Sequence, residues 1–233
     1  MLFSYDPTFI LLLPAILLAL YAQFKVQSTY AKLSEVHSKN GLTGAAAGRK
    51  LLDASGLSNV RIEQIPGNLT DNYDPRSKVL HLSRGVYENS SVASMAIAAH
   101  ELGHAVQDQE AYFPLRFRAA LVPAVNIGSY LGWILIIIGM LLNYTQLAWV
   151  GLAVFSFGAI FALATLPVEL NASARAKRLL VDSGLVVSED EQRGVNSVLN
   201  AAALTYVAAL FTAVMQLLYF ATMVLGMGGR RRS

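Results

Sequence analysis

The chain has 233 residues, 55% of them hydrophobic, and a mean hydropathy of +0.46; an apolar share above the usual half excludes an ordinary soluble domain. The formal charge of +3 is small and its Lys and Arg are interspersed with acids, so there is no basic arm or stripe for nucleic acid. With no cysteine, disulfides, thiolate metal sites and cysteine nucleophiles are excluded, leaving carboxylates and the histidines His37, His81, His100 and His104 as strong metal ligands.

The first apolar run, Phe9 to Ala22, is extended by Leu2, Phe3 and Phe24 and predicts a membrane helix over residues 1–24, bent at Pro14. The preceding MLFSYDPT has no Lys or Arg and no small-x-small cleavage site follows, which favours a retained anchor over a signal peptide. Charges crowd into residues 25–118, and residues 25–120 read as the soluble region. It opens with a polar helical stretch, Lys25 to Lys39, followed by a helix capped by Thr43 and stopped at Gly56. VRIEQI at 60–65 and KVLHLS at 78–83 alternate as strands, with turn-forming residues between them, predicting an antiparallel pair with a long loop. Residues 91–109, SVASMAIAAHELGHAVQDQ, lack proline and are rich in helix formers, so they predict one continuous helix.

Residues 121–168 predict a transmembrane hairpin, with apolar runs Leu121 to Leu142 and Leu147 to Leu166 separated by Asn143, Tyr144, Thr145 and Gln146. Gly128 and Gly132 lie four apart on its first arm and are read as plain close packing. A polar helical segment, 169–200, leads into a last span, 201–227, and a basic tail, 228–233, ending in Arg230, Arg231 and Arg232. The fold class is therefore a mainly α membrane protein, with about four transmembrane helices and a small α+β region holding a short antiparallel sheet.

His100-Glu101-Leu102-Gly103-His104 matches H-E-x-x-H. On a helix the i, i+4 spacing puts both imidazoles on one face, close enough to share Zn2+. A catalytic zinc ion takes three protein ligands and acidifies a water in the open position, and Glu101 is the candidate general base. Two solvated histidines on a surface helix are the bland alternative, but the flanks SMAIAA and AV are apolar and would bury the motif. His37 and His81 both remain open as third ligand. Glu169 is the better candidate, because two crossings joined by a short turn return the chain to the side that carries the motif. Its bland reading is an acid complementing the dipole in the first turn of a helix.

Four segments, DNYDPRSKVLHLS at 71–83, AAHELGHAVQD at 98–108, LPVELNASARA at 166–176 and VLNAAALTYVAA at 198–209, closely resemble the YugP-like family of membrane zinc metallopeptidases. The resemblance spans nearly the whole chain. It implies a zincin-like catalytic region with a gluzincin-type site and Glu169 as third ligand. It also marks two departures, Asn72 where the family often has His, and Asn171 where it often has Asp. No histidine follows Glu169 to hold an oxyanion, so Tyr206 and Tyr73 are candidate donors, with an interfacial anchor as the alternative for Tyr206. Arg175 is a further candidate donor, or a contact for lipid phosphates. The strand Lys78 to Ser83 is a candidate for pairing with an extended substrate. Sequons begin at Asn68, Asn89, Asn143 and Asn171 and are assigned no function.

The expected partners are the lipid bilayer and a peptide or membrane-protein substrate, with a homo-oligomer or a partner protease left open. Near the span ends, Lys25, Lys32, Lys39, Arg116, Arg118, Arg175, Lys177, Arg178 and Arg193 lie on the catalytic side, against the three arginines of the tail. That bias predicts a cytoplasmic catalytic region in a bacterial inner membrane. The expected activity is zinc-dependent endoproteolysis in membrane-protein processing or quality control. The alternative is a zinc-binding pseudoprotease serving as scaffold or accessory subunit, which would have no use for Glu101 as a base.

Overall fold

The computed structural model describes residues 7–229; Leu2, Phe3 and the three tail arginines lie outside them. A 3-10 segment, Pro7–Leu12, leads into α1 (Leu13–Ser34). Pro14 sits in the first turn of α1, where its missing N–H has no helical acceptor to lose, so the expected bend is replaced by a helix start. The polar stretch from Lys25 is not a separate helix either, since α1 runs through it to Ser34.

The next helix, α2 (Gly44–Ala54), begins at Thr43, whose side chain accepts the Ala46 N–H at 3.2 Å. It stops before Gly56, which adopts the left-handed φ of +71° that glycine tolerates. Three strands follow, β1 (Arg61–Ile65), β2 (Asn72–Asp74) and β3 (Val79–Ser83), in the order β1-β3-β2. The expected antiparallel pairing of the two alternating segments is overturned: β1 runs parallel to β3, with Ile62 opposite Leu80. The antiparallel neighbour of β3 is β2, with Tyr73 opposite Leu80. Its hairpin is closed by Asp74, which accepts from the Arg76 N–H and the Ser77 hydroxyl. With that side occupied, β1 reaches only the other edge of β3, by a crossover that makes the pair parallel. Being central, β3 has no open edge, and the strand expected to receive substrate does not offer one.

A single helical turn, α3 (Arg84–Tyr87), separates β3 from α4 (Val92–Gln109), which the Ser91 hydroxyl caps by accepting from Ser94 N–H at 3.1 Å. Leu51 and Leu52 of α2, Leu80 and Leu82 of β3, and Met95 and Leu102 of α4 are fully buried together with Leu180. Each such side chain contributes about 1.5–3 kcal/mol, which fixes α4 on the sheet.

Four helical stretches among the described residues are long and apolar enough to cross a membrane: Thr8–Ser34, Phe113–Leu141, Thr145–Asp182 and Glu189–Gly226. They contain α1, α5 (Phe113–Leu141), α6 (Thr145–Phe155) with α7 (Phe157–Asp182), and α8 (Glu189–Gly229). Between α5 and α6 the backbones touch. A Cβ on Gly132 would lie 2.6 Å from Phe155 N, and one on Gly139 2.6 Å from Ala148 N. The turn between them uses Asn143 at φ +51°. Pro167 lies inside α7, so Glu169 does not open a helix, and the first-turn dipole reading of this acid falls away.

The chain divides into two compact units, one of Met1–Tyr21, Arg116–Leu166 and Thr205–Ser233, the other of Ala22–Leu115 and Pro167–Leu204. The second carries the sheet and the H-E-x-x-H motif. Each point where the chain passes between units falls inside a helix: α1, α5, α7 and α8.

Candidate metal centre

His100 and His104 lie one turn apart on α4, their rings edge to face with centroids 4.9 Å apart. Glu169 reaches them from α7, its Oε2 3.2 Å from His100 Nε2 and 3.3 Å from His104 Nε2. The three donor atoms all fall within 4.8 Å of one another, and the three side chains are 5–12% exposed. Two imidazole nitrogens and one carboxylate form a His2Glu set that fits catalytic zinc. The His37 backbone forms an isolated β-bridge with Ser91, and His81 sits on β3 with Nδ1 3.1 Å from Asn72 Oδ1; neither joins the group.

Helix α7 comes this close because of Gly103, the fourth residue of the motif. A Cβ there would stand 2.6 Å from the Ala172 carbonyl oxygen, so only glycine lets the two backbones meet. Both imidazole rings are braced through Nδ1. Ser173 Oγ lies 3.1 Å from His100 Nδ1, and Gln107 Oε1 lies 3.0 Å from His104 Nδ1. Sequence reasoning missed Ser173, Gln107 and the role of Gly103. The available signal was spacing, since Gln107 follows His104 by three residues and Ser173 follows Glu169 by four, each on the same helical face as the residue it follows.

Glu101 receives no hydrogen bond from any described residue. Burial pushes its carboxyl above the usual range; His100 and His104 oppose this, while Glu169 and Asp71 add to it. Asp71 is itself raised by burial, although it accepts from the Ser83 N–H at 2.7 Å and from its hydroxyl.

The candidate oxyanion donors are placed as follows. The Tyr73 hydroxyl donates to Asp108 at 2.8 Å, and Lys78 pairs with the same carboxylate. Arg175 donates to Asn171 Oδ1 and pairs with Glu110, both at 2.7 Å, beside the ring of Tyr112. Tyr206 lies on α8 within the other unit. Asn72 bonds to His81 and the Thr70 carbonyl, whereas Asn171 accepts from Gln107 Nε2 at 2.9 Å and so connects to the brace of His104.

No solved structure matches the chain. The chain is 45% identical to the "Putative membrane protease YugP" of Bacillus subtilis (strain 168) over 210 residues, 90% of this chain and 93% of that protein. Residues 8–225 match the family model described as "Putative neutral zinc metallopeptidase". With four apolar helices fit to cross a bilayer and a His2Glu donor set suited to zinc, the chain belongs to this family of neutral zinc metallopeptidases, as a membrane protein whose cofactor is Zn2+.

Proposed function

We propose that the chain is a membrane-embedded endopeptidase of the H-E-x-x-H type, with His100, His104 and Glu169 holding zinc and Glu101 as general base. The convergence of His100 Nε2, His104 Nε2 and Glu169 Oε2 beside an unbonded Glu101 carries this reading. Bound zinc supplies Lewis acidity that makes water nucleophilic near neutral pH and polarises the scissile carbonyl. Glu101 takes the proton of the attacking water and passes it to the departing amine. Ser173 and Gln107 hold the imidazoles by Nδ1, so that both Nε2 atoms would be left to hold the metal. Tyr206 is proposed, on its sequence position alone, as the donor to the developing oxyanion.

An extended substrate would pair with the outer edge of β2, residues 72–74, on which no described strand lies. Main-chain hydrogen bonds there would supply affinity. The substrates would be membrane or membrane-proximal proteins, processed or degraded for quality control in a bacterial inner membrane with the catalytic unit on the cytoplasmic side.

The test is zinc content and peptide cleavage in wild type, Glu101→Gln and Glu169→Ala. Cleavage by wild type, with Glu101→Gln keeping its zinc yet slowed about 10²–10⁴-fold, supports the proposal. Full zinc affinity in Glu169→Ala would remove that residue from the ligand set, and cleavage by Glu101→Gln at the wild-type rate would refute the general-base role.

A further inference from the structure

A chain of hydrogen bonds leaves His104 along the interface of α4 and α7, and each link admits one polarity. Its outer end is Arg175, a guanidinium with donors and no acceptor. Arg175 Nε–H donates to Asn171 Oδ1 at 2.7 Å, and its terminal nitrogen is held by Glu110 Oε2 at 2.7 Å. Asn171 must therefore present its carbonyl oxygen here. The same oxygen lies 2.9 Å from Gln107 Nε2, and the Val168 carbonyl oxygen lies 2.8 Å from that nitrogen. Two acceptors engage both N–H groups of the Gln107 amide, so its Oε1 must face the other way, toward His104 Nδ1 at 3.0 Å. An oxygen acceptor at that distance requires Nδ1 to carry a hydrogen; any second hydrogen sits on Nε2 toward Glu169 Oε2, 3.3 Å away, and its loss leaves the neutral ring with its lone pair on Nε2.

We propose that Arg175, acting through Asn171 and Gln107, fixes His104 in the Nδ1–H tautomer and thereby presents Nε2 to zinc; the zinc half of this rests on His104 being a ligand. None of the three touches the metal-facing atoms, so they are positioning residues. Gln107 has a second effect. Fully buried, it ties the ring of one ligand to the backbone of Val168, the residue before Glu169, so one side chain links the two helices that supply the donors. Ordinary helix packing needs only volume at these positions, whereas the relay needs a defined direction of donation.

The experiment uses the full chain in lipid nanodiscs. In metal-free protein with 15N-labelled imidazoles, long-range proton–nitrogen NMR should show His104 protonated at Nδ1 in wild type and a mixture of tautomers in Asn171→Leu. Zinc affinity, measured by competition with a chromogenic chelator, should fall about 10–100-fold in Asn171→Leu and Gln107→Met. Asn171→Asp, acceptor-only and of similar size, should restore both readouts. Retention of the pure Nδ1–H form in Asn171→Leu overturns the relay, as does a loss in Asn171→Asp equal to that in Asn171→Leu, which would make shape rather than polarity decisive. Wild-type zinc affinity in His104→Ala overturns the ligand assignment instead, while the tautomer readout judges the relay separately.

Discussion

Glu101 stands among groups that act on it in opposite directions, and the balance bears on stability as well as chemistry. Burial, the largest influence, raises its proton affinity in the folded protein above the unfolded value near 4.5. In the metal-free protein this group therefore favours the fold at pH below that value and works against it as pH rises through the raised pKa. Glu101→Gln should raise the apparent thermal midpoint of the metal-free protein at about pH 7.5, and the difference should close near about pH 4, in scans at one fixed heating rate. An equal difference at both pH values would show that charge is not the cause. A site that destabilises its own empty form is a common signature of catalytic machinery. His100 and His104 were legible because i, i+4 spacing alone puts two rings on one face. Ser173 and Gln107 were not, because any helix carries many polar residues at such spacings, and only the meeting of α4 with α7 decides which of them face a ring.

At the scale of elements, the passage from Glu169 to the motif depends on a glycine. Parity of membrane crossings brought Glu169 to the motif's side in the sequence reading, but parity says nothing about distance. Gly103 supplies that, by allowing the Ala172 carbonyl to approach where a methyl group would stand 2.6 Å away. Gly103→Ala should force the helices apart, cost about 1–3 kcal/mol as overpacking, and weaken zinc binding more than Gly56→Ala, which sits at a helix stop with open space around its Cβ position. Chelator competition on the two variants compares them directly; equal zinc affinities would show that the contact is not what sets the zinc affinity. The sequence misjudged Pro167 as a helix boundary because proline commonly ends soluble helices, whereas helices of membrane proteins carry it within their length. It misjudged strand pairing because β2 has three residues, too few to show an alternating pattern.

For the whole molecule, composition and run length sufficed to expect four crossings, and four helices of the described residues meet that requirement. If α5 crosses once, the chain on either side of it, at Lys50 and at Tyr144, faces opposite compartments. Because the chain has no cysteine, single introduced thiols report cleanly. Lys50→Cys should react with an impermeant maleimide only from the cytoplasmic side and Tyr144→Cys only from the opposite side, both positions being exposed. The reverse pattern would invert the proposed orientation without touching the proposed chemistry.

The four passages between the two units all lie within helices, and this limits how the protein can be handled. A protease domain joined to its anchor by a loop can be trimmed free and studied in water. Here the cut that released Glu169 from the apolar part of its helix would sever α7 in mid-course and strip the hydrogen-bonded turns on both sides of the break. Glu169 lies two residues past that point, so its helix would begin, frayed, at this side chain. Limited proteolysis should therefore yield no active soluble fragment, and purification has to keep the peptidase with its membrane.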